Sequence, residues 1–161
     1  FYLGWKARQY DFSTRFIDLA GQINIQVSYY VVDKVVKALN NLSKSVKGSR
    51  ILILGVAYKK DIGDYRESPA LRIIHQLQEL GADLVFHDPY IKTISSHDEP
   101  SLEVDWVSLT EEELLKSDCV LIITDHSLVD YQKVVEKAGL VLDTRNATKD
   151  VKIGRSKIIL I

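Results

Sequence analysis

The sequence predicts an α/β protein: a doubly wound parallel sheet preceded by a long α-helix. Three observations lead there. After residue 48, short continuous apolar segments alternate with helical ones, the pattern of strands covered on both faces of a parallel sheet. From Thr14 to Leu42 there is no proline and apolar residues recur at helical spacing, which predicts one long helix. With 46% hydrophobic residues in a chain of 161, there is enough apolar surface for a true core.

The elements follow in order. The long helix carries Phe16, Leu19, Ala20, Ile23, Val27, Tyr30, Val31, Val35, Ala38, Leu39 and Leu42 along one stripe, with Ser13 as the expected N-cap. At a rise of about 1.5 Å per residue it runs to about 40 Å, longer than one face of a small sheet needs. Tyr29, Val32 and Val36 lie off that stripe, so a second partner surface is expected, another subunit ahead of the chain's own core. The polar stretch Ser43 to Ser49, with Gly48, marks a domain boundary. This gives residues 1–44 as a helical region and 48–161 as the sheet domain.

Within the second region, Arg50 to Leu54 is a strand, Pro69 to Leu80 a helix and Asp83 to His87 a strand. A weak strand around Val104 to Val107, a helix from Glu111 to Lys116 and a strong strand from Cys119 to Thr124 come next. A helix from Tyr131 to Ala138 and strands from Leu140 to Asp143 and from Lys157 to Ile161 complete a Rossmann-like alternation. Ser68-Pro69 reads as an N-cap followed by proline at the first helical position.

Composition narrows the function classes. A net charge of −1, from 21 basic and 22 acidic side chains, leaves no electrostatic footprint for nucleic acid or an anionic membrane. One cysteine makes no internal disulfide, and no signal peptide or membrane-spanning run is evident, so a cytoplasmic setting is expected. The chain starts at Phe1 and contains no methionine, which points to a missing upstream part.

In a doubly wound sheet, ligands sit beyond the carboxyl ends of the strands. Those ends here are Gly55 to Lys60, His87-Asp88-Pro89, Thr124-Asp125-His126 and Asp143-Thr144-Arg145-Asn146. The first turn lacks the G-x-G-x-x-G run that brings a pyrophosphate onto backbone N–H groups, so NAD is not expected to bind this domain in the usual way. Lys59 is either a point charge for a phosphate or a solvated lysine. Arg145 offers a planar donor fork to a phosphate or carboxylate; a salt bridge to Asp143 or another carboxylate is the alternative. Arg66, among acids, reads as a structural ion pair, and Asp88 as part of an Asp-Pro turn. His126 is either a catalytic base or, preferred because no nucleophile pairs with it, a loop histidine with a local hydrogen bond. Cys119 reads as a small buried hydrophobe. His75, His87 and His97 have no metal-ligand spacing, so no metal site is expected.

Five ordered motifs then carry a likeness: Gly55-Val56-Ala57-Tyr58-Lys59-Lys60-Asp61, Asp64-Tyr65-Arg66-Glu67-Ser68-Pro69-Ala70-Leu71, His87-Asp88-Pro89, Thr124-Asp125-His126 and Asp143-Thr144-Arg145-Asn146. Together they resemble the UDP-glucose/GDP-mannose dehydrogenase family. Phe1-Tyr2-Leu3 and Ser13 to Ile17 are similar to the segment that follows the family's catalytic cysteine and its D-P-[FY]-Y-L motif. The resemblance implies an NAD-binding domain and catalytic cysteine upstream of residue 1, with no catalytic residue in this chain. Residues 1–44 would be the end of a central dimerisation region, forming a homodimer, and residues 48–161 the domain that grips the substrate's nucleotide. It also implies a two-step, NAD-dependent oxidation of a sugar C6 alcohol to a carboxylate. By the same likeness Lys59 and Arg145 contact substrate, and Tyr58 lines the pocket beside them. The motif wording looks most like the branch acting on UDP-N-acetylhexosamines. Val27-Ser28 stands where that branch commonly has Met-Pro, so a straighter helix is expected. The alternative reading is a stand-alone nucleotide-binding and dimerisation module.

Overall fold

A computed structural model describes residues 2–94, 102 and 104–161. Phe1 and His97, both read above, lie outside the described residues. A short helix α1 (Tyr2–Arg8), absent from the sequence reading, precedes the long helix α2 (Arg15–Asn41). Thr14, not Ser13, holds the N-cap position of α2, and no side chain caps it; the Arg8–Asp18 ion pair, at 3.2 Å, ties α1 to the first turn instead. Helix α2 is continuous through Val27-Ser28, and Ser28 is fully buried.

The stripe on α2 divides into two halves. Val31, Val35, Ala38 and Leu39 are buried in the main core, together with Val32 from beside the stripe. Phe16, at 89% exposure, and Ile23, at 48%, remain open. Among the described residues no helix is long and apolar enough to cross a membrane.

The sheet contains β1 (Arg50–Leu54), β2 (Asp83–His87), β3 (Asp105–Trp106), β4 (Cys119–Ile122), β5 (Val141–Asp143) and β6 (Ile158–Leu160). Its order is β3-β2-β1-β4-β5-β6, and every pairing is parallel. This is the doubly wound order, which reverses between β1 and β4; the predicted fold class is borne out. Side-chain alternation divides the core. Ile51 and Ile53 face the layer formed by α2 and α3 (Pro69–Glu79). Leu52 and Leu54 face the layer of α4 (Glu111–Lys116) and α5 (Tyr131–Lys137). Helix α3 starts as expected, with Ser68 Oγ accepting the Ala70 N–H at 3.2 Å and Pro69 at the first position.

Strand β4 is shorter than predicted. The N–H groups of Ile123 and Thr124 both turn toward the Leu54 carbonyl, at 2.9 and 3.4 Å, so the chain leaves the ladder where the strand order reverses. The crevice opens at that point.

Candidate functional site: the crevice at the strand ends

Four loops meet at the carboxyl edge, and buried polar groups tie three of them together. Gly55 leaves β1 with φ of +78°, and a Cβ there would lie 2.1 Å from the Thr124 carbonyl oxygen. Only glycine admits this close crossing of two strand ends. Beyond it, the N–H groups of Val56 and Ala57 donate to Asp88 Oδ2 at 2.9 and 3.1 Å, and the Tyr58 N–H donates to the Asp64 carbonyl at 2.8 Å. A dinucleotide fold would turn such groups toward a pyrophosphate. Here the protein uses them itself.

Asp88 does more than terminate an Asp-Pro turn. Its Oδ1 accepts the N–H groups of Tyr90 and Ile91 at 2.8 and 3.1 Å, while Oδ2 also meets His126 Nε2 at 3.0 Å. Both side chains are fully buried. Burial alone would raise the Asp88 carboxyl; the His126 contact and the N–H groups of Tyr90 and Val56 outweigh it and hold the group below its ordinary value.

His126 accepts the Asp61 N–H on Nδ1 at 3.0 Å. Nδ1 is therefore the bare nitrogen, and Nε2 carries the proton donated to Asp88. With both nitrogens engaged, the ring has no free lone pair for a base. The bond is not local, as the sequence suggested, but spans 65 residues. Asp61 returns the link: its carboxylate accepts the Ser127 N–H at 2.8 Å and the Ser127 hydroxyl at 2.7 Å. These bonds hold Asp61 at φ of 58°, an uncommon conformation for a side-chain-bearing residue.

The fourth loop is built on Asp143, also buried. It accepts the Arg145 N–H at 2.9 Å, and the Thr148 N–H and hydroxyl at 2.8 and 2.7 Å. Asp143 thus shapes the Arg145 backbone, and the guanidinium turns to Asp125 at 3.4 Å. Lys60 Nζ approaches the other oxygen of Asp125 at 3.5 Å. Between these groups lies a polar cleft of about 420 Å³, lined in part by Lys60, Asp125, Ser127, Arg145, Asn146 and Lys149. Neither Tyr58 nor Lys59 lines it. Those two stand exposed on the same loop, with Lys59 Nζ 5.7 Å from the Tyr58 ring centre. The sequence reading placed Lys60 at the strand end facing the crevice but assigned it no contact of its own, and it passed over Lys149.

The remaining candidates have structural roles. Arg66 pairs with Asp64 at 2.8 Å, and the guanidinium lowers the Asp64 carboxyl to about 2. Cys119 is buried in β4, and burial pushes its thiol up to about 12. His87 bonds the Val107 carbonyl at 2.9 Å. Among the described residues no three His, Cys, Asp or Glu side chains form a group able to hold a metal.

The family model described as "UDP-glucose/GDP-mannose dehydrogenase family, UDP binding domain" matches residues 52–150, from within β1 to just past the Arg145 loop. The chain is 29% identical to the UDP-N-acetyl-D-mannosamine dehydrogenase of Methanococcus vannielii over 83% of its own length and 31% of the relative's. It is 32% identical to the NDP-N-acetyl-D-galactosaminuronic acid dehydrogenase of Ralstonia solanacearum, over 83% of this chain and 30% of that one. The chain thus spans about a third of the length of the curated relatives it matches. Among solved structures, the NDP-N-acetyl-D-galactosaminuronic acid dehydrogenase of Methanosarcina mazei superposes with a TM-score of 0.70 at 26% identity, over 89% of this chain and 30% of that one. The UDP-D-ManNAc dehydrogenase of Pyrococcus horikoshii shares the fold, with a TM-score of 0.73 at 24% identity over 96% of this chain and 34% of that one. The likeness first visible in the motifs at the strand ends is borne out, and the chain belongs to the UDP-glucose/GDP-mannose dehydrogenase family through its UDP-binding domain.

Proposed function

We propose that this chain is the nucleotide-gripping part of an NAD-dependent nucleotide-sugar 6-dehydrogenase. The whole enzyme oxidises the C6 alcohol of a UDP-sugar, a UDP-N-acetylhexosamine on the wording of its motifs, to the carboxylate. The observation that carries this reading is the match of the UDP-binding family model to the residues that build the cationic crevice. Arg145 is the principal phosphate ligand, offering a planar fork on a loop fixed by Asp143. Lys59 and Tyr58 meet the substrate from the loop after β1 when the rest of the enzyme closes over the crevice, and Lys60 adds a second charge within the cleft.

The residues present do not fit NAD. The N–H groups of Val56 and Ala57 are committed to Asp88, and the Asp88 carboxylate that would meet a ribose is fully buried. We assign NAD to an N-terminal domain outside this chain, together with the catalytic cysteine; the buried Cys119 thiol, pushed up to about 12, is no nucleophile. Residues 1–44 belong to a dimerisation region and 48–161 to the UDP-binding domain. The apolar row left open on α2, Phe16 to Val27, supports a homodimer through that helix. The setting is the cytoplasm.

Calorimetric titration of the 161-residue chain with UDP, UDP-N-acetylglucosamine and NAD tests the reading. Uridine ligands are expected to bind and NAD is not. Binding of NAD without UDP would overturn the assignment and favour an intact reductase of another class.

A further inference from the structure

We propose that His126 is the positioning residue of the nucleotide grip: its neutral ring fixes the loop that carries Lys59 and Lys60 against the loop that carries Asp125. This role rests on the nucleotide-grip reading and deepens it.

The imidazole is fully buried and uses both nitrogens between different loops. Nε2–H donates to Asp88 at 3.0 Å, anchoring the ring to the end of β2. Nδ1 accepts the Asp61 N–H at 3.0 Å, anchoring the loop after β1 to the ring. The Tyr90 ring lies tilted against the imidazole with centres 5.2 Å apart, and the Asp61 carboxylate stands 3.7 Å from Nδ1. One residue before His126, the Asp125 carboxylate reaches Arg145 at 3.4 Å and Lys60 at 3.5 Å. In this proposal His126 ties the Lys60 loop to the chain beside Asp125, whose carboxylate meets both cations. A diphosphate bridging Lys60 and Arg145 needs their spacing made in advance, because ordering a loop on binding subtracts from affinity.

The two bonds have separable consequences. The Asp88 bond satisfies two buried polar groups and bears on stability. The Asp61 bond ends on the grip loop and bears on binding. Two amide variants divide them. In His126→Asn the side-chain oxygen falls where Nδ1 was and keeps the Asp61 N–H, whereas in His126→Gln the amide NH₂ falls where Nε2 was and keeps Asp88.

The experiment measures UDP affinity by calorimetry and Tm by scanning calorimetry for both variants of the full 161-residue chain. The expected result is crossed. H126Q loses UDP affinity about tenfold or more while keeping the higher Tm of the pair; H126N stays within about threefold of the parent affinity with the lower Tm. Affinity that falls in step with Tm in both variants overturns the proposal, because a merely structural histidine gives that pattern. A parent chain that binds no UDP sinks the nucleotide-grip reading itself. Imidazole nitrogen NMR on the unsubstituted chain provides a readout independent of both ligand and mutant folding. A bare Nδ1, with a slowly exchanging Asp61 amide, supports the proposal; a protonated Nδ1 overturns it.

Discussion

Asp88 Oδ2 lies 2.9 Å from the backbone nitrogen of Val56, and that bond joins the end of β2 to the first turn of the crevice. The same carboxylate accepts from Ala57 and meets His126, so one buried charge organises three loops. Asparagine there turns one acceptor oxygen into an NH₂ donor, so buried N–H groups that met that oxygen lose their acceptor. Asp88→Asn is expected to cost about 3 kcal/mol in urea unfolding at neutral pH. The pH dependence follows from the lowered Asp88 carboxyl. A group depressed in the folded state contributes stability that is present in full above its unfolded value, ordinarily 3.8, and is lost as the pH falls through the folded value. The parent chain is therefore expected to lose stability below about pH 4, and D88N to show a flatter acid limb.

Gly55→Ala tests the crossing at the switch point. The added Cβ meets the Thr124 carbonyl oxygen at 2.1 Å on a backbone with φ of +78°, so strain and clash act together. A loss of about 3 kcal/mol or more is expected. Gly139→Ala is the control, since nothing lies within 4 Å of a Cβ there; its effect is expected to stay within about 0.5 kcal/mol.

The neighbouring lysines separate two versions of the grip. Lys60 lines the cleft and Lys59 does not. Arg145→Ala and Lys60→Ala are each expected to weaken UDP binding by the isolated chain about tenfold, more steeply at low salt. Lys59→Ala is expected to matter less in this chain and more in the full-length enzyme. Equal losses from both lysine variants in the isolated chain would show that the loop reshapes on binding.

Cys119 is expected to be inert toward thiol reagents. Its thiol lies near 12 against an ordinary 9.0, which cuts the reactive thiolate by roughly a thousandfold before burial adds its own barrier. Ellman's reagent at pH 8 should therefore report global unfolding, and its rate should rise with urea.

The open half of α2 predicts self-association. Phe16→Asp with Ile23→Glu is expected to shift sedimentation from dimer to monomer while leaving Tm nearly unchanged, since both side chains are exposed in the single chain. An unsubstituted chain that sediments as a monomer at all concentrations would contradict the dimer.

Much of this was legible in the sequence, for identifiable reasons. Strands such as Ile51 to Leu54 are apolar on both faces and flanked by turn residues, so their continuity gave them away. Ser68-Pro69 placed the start of α3 because cap chemistry is local. Other features depend on residues far apart in the chain. Nothing near His126 reveals that Asp61 and Asp88 will enclose it. The helical spacing of α2 shows an apolar stripe but not where its cover ends. In an irregular loop no period tells which of Lys59 and Lys60 turns inward, and α1 is too short for its spacing to stand out.

The reciprocal stitching of Asp61 with His126 and Ser127, anchored on Asp88, also bears on the order of folding. These groups come from the ends of three strands, and their bonds span up to 66 residues. Each closure costs chain entropy that sheet pairing must offset first. The crevice is therefore completed late, after β1, β2 and β4 have come together, and ligand affinity becomes a reporter of the finished fold: during refolding, nucleotide binding should appear only with the slowest phase.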